Sequence, residues 1–343
     1  MISKYLLSIA RCPACLANGS GASSGLEASD GRFRCPRCRR EFGALDGYLD
    51  LRPPAGTFSD LTEYAEEVFH HRPGRLRPLF LSARVKRDMM VKMLKPAPSD
   101  RVLDIGCGNG RFAYFERSRC RELVGIDAGA HFASEPRASV DLTRGDVRLL
   151  PFADASFDKA YSLDVLEHLT EDGCVRMLSE ARRVLRPEGK LFLYSHVMMS
   201  SKLAVFQRGV NRLVRTLDRK GLVDNAPERE RKSDHRNALV SYEKLDSILE
   251  RTGFGIEAIR YYNVFFKAIF EDLMLPLVEH NLYAKKTEEK RTEAHGHSHG
   301  STKPDVGRWA HLPLGLASQI MKLDVVLFGR VRTGPFFLLL RNR

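Results

Sequence analysis

The chain of 343 residues is long enough for two domains, or for one domain with an appendage and an insertion. Its apolar share of 43% and charged share of 29% exclude a largely disordered chain, and no apolar run reaches the roughly 18 residues of a membrane span. Residues 201–343 carry 25 Lys/Arg against 17 Asp/Glu and hold most of the net charge of +12; charge alone does not choose between nucleic acid, an anionic membrane surface and a solvated basic face.

The opening MISKYLLSIARCPAC lacks the h-region length and the cleavage site of a secretory signal, so the protein is expected in the cytoplasm, with contact at the membrane periphery left open. Of its seven cysteines, Cys107, Cys120 and Cys174 are scattered and the other four form two close pairs, which is not a secreted disulfide framework. CPAC at Cys12 to Cys15 and CPRC at Cys35 to Cys38 stand 19 residues apart. Each pair can turn two thiolates toward one ion, and the spacing matches a tetrahedral four-cysteine zinc site. Such a site is closed to substrate and structural, and it replaces a core that about fifty residues could hardly build alone. The segment through EFGALDGYLDLRP resembles the small zinc-ribbon module found alone as a methyltransferase activator and fused to the front of some bacterial methyltransferases, including those that modify ribosomal RNA. Arg32, Arg34, Arg37, Arg39 and Arg40 cluster around the second pair, as suits either phosphate contact or a solvated rim.

RVLDIGCGNGRFA at 101–113 is a hydrophobic run entering a glycine turn and leaving as a helix. It departs from the GxGxxG spacing of pyrophosphate binders and has no GK[ST], and Asp104 stands two positions before the first glycine. A carboxylate there repels phosphate and suits a cation. Nineteen residues after Gly108 the short strand ELVGID ends on Asp127, where a carboxylate can accept both hydroxyls of a ribose. Beyond a third strand, Asp146 can take the exocyclic amine of an adenine and Val147 can offer its backbone N–H to the ring. The ligand so described has a ribose, an adenine and a positive end, as S-adenosylmethionine has.

From residue 99 to about 200 the chain resembles the class I S-adenosylmethionine-dependent methyltransferases of the type 11 kind. The segments carrying the likeness are LDIGCGNG, GID, GDVRLLPFADASFD, KAYSLDVLEHL and EARRVLRPEGKLFLYS, in family order. The resemblance implies that Gly106, Cys107, Gly108 and Asn109 lie against the methionine part of the cofactor and that Asp104 orients its amino group. It implies further that Asp127 holds the ribose, Asp146 and Val147 the adenine, and that Ser162 and Leu163 lie beside the cofactor. Cys107 is expected to be a small apolar wall. The fold class is α/β, a Rossmann-like seven-stranded methyltransferase sheet with a small zinc ribbon in front and a mostly helical insertion before the last strand. That strand should insert between two neighbours and be covered on both faces, and GPFFLLLRNR is an unbroken apolar run.

Methyl transfer from a sulfonium needs alignment, and a base only if the nucleophile arrives protonated. His168 in DVLEHL is expected to open the helix after the fourth strand, and His196 in LYSH follows the fifth. His235 in SDHRNALVSYEKL precedes a helix that Ser241 can cap and Gly253 can end. Similar segments in small-molecule methyltransferases place that histidine near the acceptor, and all three are candidate bases.

Apolar positions from Leu203 to Leu217, with Arg208, Arg212, Arg215 and Arg219 elsewhere on the turn, describe a basic amphipathic helix that fits a lid, a membrane-surface helix or a helix packed on the core. NVFFKAIFEDLMLPLVEHNLY and HLPLGLASQIMKLDVVLFGRV flank a charged and His/Gly-rich linker; they fit an interfacial hairpin, the walls of a pocket for a lipid-like acceptor, or a small bundle. The expected division is a four-cysteine module at 1–52, a linker with leading helices at 53–98, the methyltransferase domain at 99–262, the apolar helical insertion at 263–333 and the last strand at 334–343. The leading expectation is methyl transfer to a small-molecule or lipid-linked acceptor, at oxygen. The alternatives are an RNA methyltransferase reading its substrate through the ribbon, and a non-catalytic cofactor-binding scaffold. No aromatic-rich RNA motif and no NPPY-type tetrapeptide occurs, and intact Asp104, glycine loop and Asp127 speak against the scaffold.

Overall fold

The computed structural model describes residues 2–19, 25–29, 32–58, 76, 78–197, 204–223, 239–262, 265–278, 280, 311–332 and 334–343. Its strands in chain order are β1 (Glu27–Ser29), β2 (Arg32–Arg34), β3 (Glu41–Phe42), β4 (Ala44–Leu45), β5 (Tyr48–Asp50), β6 (Arg101–Ile105), β7 (Glu122–Asp127), β8 (Asp141–Arg144), β9 (Phe157–Leu163), β10 (Leu185–His196), β11 (Phe254–Tyr261) and β12 (Pro335–Asn342). The first three form a small antiparallel sheet. The others form one sheet of nine strands in the order β11-β12-β10-β9-β6-β7-β8-β5-β4. β6 to β10 run parallel, and β12 lies antiparallel between β10 and β11.

The expected seven-stranded methyltransferase sheet is therefore present from β11 to β8, and β5 and β4 extend its outer edge. β5 pairs parallel with β8, Tyr48 opposite Leu142. The boundary expected at residue 52 is thus not a boundary of the sheet: the four-cysteine segment contributes the last two strands. Its N-terminal helix (Lys4–Ile9) is tied down too, since Ser3 caps it and donates its backbone N–H to Asp141 at 2.9 Å. Arg11 donates its amide to Pro151 and Ile9 accepts from Ala153.

β12 reads as a continuous apolar run because its side chains alternate between two buried layers. Phe336, Leu338 and Leu340 lie in the buried cluster that holds the helices Glu171–Val184 and Tyr242–Thr252 on one face; Phe337 and Leu339 lie in the cluster of the helix Leu81–Leu94 on the other. Thr170 caps Glu171–Val184 with acids in its first turn and Arg182 and Arg183 in its last, complementing the helix dipole. Tyr242–Thr252 starts at the Ser241 cap and stops at Gly253 with φ of 72°, as its sequence signals.

The insertion is helical where described. Asp324, fully buried, accepts the amides of Phe265, Phe266 and Lys267 and so caps the helical segment holding the π-turn Ala268–Met274. Ser318 on the helix His311–Met321 accepts the amide of Leu81 at 2.7 Å, joining the insertion to the leading helix. The basic helix Ala204–Arg219 lays Val210 and Val214 against Ala268, with Phe206 stacked on Phe265 at 4.1 Å. This apolar contact is with the insertion. No helix of the described residues is long and apolar enough to cross a membrane. The HGHSHG linker lies outside the described residues.

Candidate cofactor and acceptor site

The glycine loop follows β6 and turns on left-handed backbone at Gly106 and Gly108, with φ of 75° and 56°. A Cβ at Gly106 would stand 2.3 Å from Val165 Cγ2, whereas one at Gly108 would meet nothing within 4 Å. The loop is thus packed on one side and open on the other. Cys107 rests its Sγ against Gly125 of β7, where a Cβ would approach it to 2.9 Å. Burial, with Asp104 and Asp127 nearby, pushes the Cys107 thiol well above its usual range, which suits an apolar wall and not a nucleophile. Asn109 is exposed; its side chain accepts the Arg111 amide and its carbonyl accepts that of Ala133.

Two buried carboxylates face this loop. Asp127 accepts the amides of Gly108 at 2.8 Å and Gly129 at 2.9 Å, which fixes the acid at the end of β7. Asp104, 2% exposed, accepts the Tyr161 hydroxyl at 2.9 Å. Burial lifts its carboxyl to about 8, and neighbouring Asp127 pushes the same way. An acid raised on folding contributes stability that is present below its unfolded value of about 4 and lost as the pH climbs toward the folded value. The melting temperature of an Asp104→Asn protein relative to the parent is therefore expected to rise between about pH 4 and about pH 8 and to level off above that. Calorimetry without cofactor measures it, and a gap that stays constant would remove Asp104 as the cause.

Just beyond β8, Asp146 is held by Arg148, which donates its amide and Nε to Oδ1 at 2.9 Å each and a terminal nitrogen to Oδ2 at 2.7 Å. Val147 is buried beside it. Ser162 spends its hydroxyl on the Ile105 carbonyl at 2.8 Å and so locks β9 to β6, while Leu163 is buried at the end of β9.

The next residue, Asp164, takes a left-handed φ of 57°, an uncommon conformation for a non-glycine residue and a recurrent one at functional sites. Its carboxylate pairs with Lys86 from the leading helix, whose Nζ also lies 4.4 Å from the centre of the Tyr194 ring. Glu167, 4% exposed, accepts the Ser195 hydroxyl at 2.8 Å and stands 3.7 Å from Nδ1 of His196. Burial, with Asp164 adding, lifts Glu167 to about 8. His196 ends β10; His168 lies in a short 3-10 turn, Leu166–His168. The expectation that His168 opens a helix is corrected: the helix begins three residues on, because Thr170 supplies the cap. His235 lies outside the described residues. The sequence around Glu167, LEH, carries no sign of its burial, and Lys86 has no local signal.

Cys12, Cys15, Cys35 and Cys38 converge, with all four Sγ atoms within 4.8 Å of one another. The Sγ pairs Cys12–Cys38 and Cys15–Cys35 stand 3.5 and 3.7 Å apart. Tetrahedral Zn–S bonds of about 2.3 Å place sulfurs about 3.8 Å apart, so the donor set fits zinc. Burial opposes a thiolate at Cys35, but the amides of Cys38 and Arg37 outweigh it and bring the thiol down to about 7.

Residues 103–193 match the methyltransferase domain family. The 2-phytyl-1,4-naphtoquinone methyltransferase of Synechocystis is 31% identical over 137 residues, covering 35% of this chain and 55% of that protein. An O-methyltransferase of Pyrenophora dematioidea is 25% identical over 182 residues, covering 49% and 58%. The chain thus spans little more than half the length of these relatives. Among solved structures, phosphoethanolamine N-methyltransferase 2 of Haemonchus contortus with S-adenosyl-L-methionine superposes at a TM-score of 0.42 and 19% identity, covering 75% of this chain and 52% of that one. Residues 103–193 are thus similar to the methyltransferase domain family, and the strand order and the carboxylate-flanked glycine loop support a class I S-adenosylmethionine-dependent methyltransferase reading of the central part of this chain.

Proposed function

We propose that the protein moves a methyl group from S-adenosylmethionine to an oxygen of a small-molecule or lipid-linked acceptor. The observation that carries the cofactor half is the glycine loop, open in front of Gly108 and flanked by buried Asp104 and Asp127. When bound, the cofactor supplies an electrophilic methyl whose departure leaves a neutral thioether. Asp127 would hold the ribose hydroxyls, Asp146 and Val147 the adenine, and Asp104 the amino group. Gly106, Cys107, Gly108 and Asn109 would cradle the methionine part, with Ser162 and Leu163 beside it.

The acceptor would approach from the ends of β9 and β10, where the insertion and the leading helix close the other side. His196 has its Nδ1 3.7 Å from the buried Glu167 carboxyl, and we assign it the base, with Glu167 orienting its ring. His168 then remains a neighbour in the same turn, and His235 a candidate from its sequence alone. His196→Ala is expected to lower turnover near neutral pH roughly 10² to 10⁴-fold with cofactor affinity kept. Unchanged turnover would leave positioning as the whole of the catalysis. Cys12, Cys15, Cys35 and Cys38 would hold a structural zinc ion.

The names of the relatives support a small or lipid-linked acceptor: one methylates a phytyl naphthoquinone and another is an O-methyltransferase. The test is to incubate the protein with methyl-labelled S-adenosylmethionine and whole-cell extract and to separate organic-soluble, small polar, protein and RNA fractions. Label in the organic or small polar fraction supports the proposal. Label in RNA that ribonuclease removes would overturn it and turn attention to the arginines around Cys35 and Cys38.

A further inference from the structure

We propose that the four-cysteine module is a working part of the cofactor site: residues 40–58 wall its adenosine end, so that metal loading and S-adenosylmethionine binding strengthen one another. This rests on the cofactor reading above.

A cleft of about 580 Å³ lies between the module and the methyltransferase domain. One wall is Ala128, Gly145, Asp146 and Arg148, the residues that follow β7 and β8. The other is the segment from Arg40 to Phe58. Its size is that of a small-molecule site. Its charge is balanced, because Arg40, Arg52 and Arg148 face Glu41, Asp50 and Asp146. Arg52 is paired with Asp50 and Arg148 with Asp146, so no net positive field is left to draw a phosphate chain. Phe58 places its ring 4.0 Å from the Arg148 guanidinium, and Pro53 and Pro54 add flat apolar surface. A neutral, planar, hydrogen-bonding group suits such a lining, and an adenine has those properties.

The wall is built on the cysteine knuckle by a continuous run of bonds. The amide of Cys35 donates to the Arg40 carbonyl and that of Arg39 to the Cys35 carbonyl, both at 2.9 Å, which closes the loop between the metal ligands and the cleft. Phe42 then packs with Cys12, Cys15 and Cys35 in one core. Gly43 accepts the Asp50 amide at 3.0 Å, and Leu51 donates to Arg144 at 2.8 Å. Gly145 donates to the backbone carbonyl of Asp127 at 2.8 Å, which ties the run to the residue whose side chain is assigned to the ribose. Ordering the four thiols about an ion therefore orders the far wall of the adenosine pocket, and by linkage a filled pocket holds the metal more tightly.

The experiment uses the full-length, zinc-loaded protein. Calorimetry gives the affinity for S-adenosylmethionine, and competition with a calibrated zinc chelator gives the metal affinity with and without saturating cofactor. Cofactor is expected to tighten zinc by about tenfold, within the usual range of such couplings. Phe58→Ala and Arg52→Ala, which leave all four cysteines in place, are expected to keep one zinc per chain, bind cofactor about tenfold more weakly and lose the zinc tightening. Equal cofactor affinity in parent and variants, or a zinc affinity indifferent to cofactor, overturns the coupling while the cofactor reading stands. A folded, zinc-loaded parent that binds no S-adenosylmethionine overturns the cofactor reading itself.

Discussion

A Cys15→Ser protein is expected to emerge without metal and to melt roughly 10 °C below the parent. A serine hydroxyl is a poor substitute for a thiolate, and three ligands do not close a structural site. In small zinc-dependent peptides the ion contributes about 10 to 16 kcal/mol to folding. Here the module is also held by β5 and by the bonds of Ser3 and Arg11, so only part of that falls away. If about a quarter is lost, the shift at about 2 to 4 °C per kcal/mol is near the value expected. The damage should spread, because Cys12, Cys15 and Cys35 lie in the same buried cluster as Leu103, Ile126 and Val147 of the cofactor domain. Metal analysis with differential scanning calorimetry checks this. A metal-free variant with the parent's melting temperature would remove zinc from the fold.

Gly106→Ala and Gly108→Ala are expected to fail in opposite ways. Both glycines have positive φ, which costs an alanine about 1 to 2 kcal/mol. At Gly106 the new methyl also meets Val165 at 2.3 Å, and overpacking of that kind adds about 1 to 3 kcal/mol. The first variant should therefore lose stability heavily and binding with it. At Gly108 there is open space, so the fold should keep all but about 1 to 2 kcal/mol. The same methyl, however, projects into the volume assigned to the methionine part of the cofactor, and affinity should drop on the order of a hundredfold, about 2.7 kcal/mol. Denaturant melts and calorimetric titration separate the two. Should Gly108→Ala bind S-adenosylmethionine like the parent, the loop does not face the cofactor.

The legible parts of this protein are those written in the backbone. The glycine loop, Asp127 at a strand end, the Ser241 cap, the Gly253 stop and the apolar run of β12 each follow from local sterics or from burial on two faces. What was illegible depends on partners far along the chain. Lys86 meets Asp164 across 78 residues, and Glu167 meets Ser195 across 28, so neither pairing leaves a periodic trace. Tyr48–Asp50 is only three residues long, too short for its alternation to say which sheet it joins; its pairing with β8 is a tertiary choice. The burial of Glu167 likewise cannot be read from LEH, since an exposed and a buried glutamate have the same neighbours in sequence.

Strand β12 also sets a timetable. Its slot is bounded by β10 and β11, which leave the ribosome long before residues 335–342 do. A nascent chain that has reached Tyr261 carries two long strands whose inner edges have no partner, one of them lined by Leu191, Phe192 and Leu193. Unpaired edges of that kind invite pairing with other chains, and closing a contact across some seventy intervening residues is slow. Chains stalled or cleaved before residue 335 are therefore expected to be clients of chaperones and proteases.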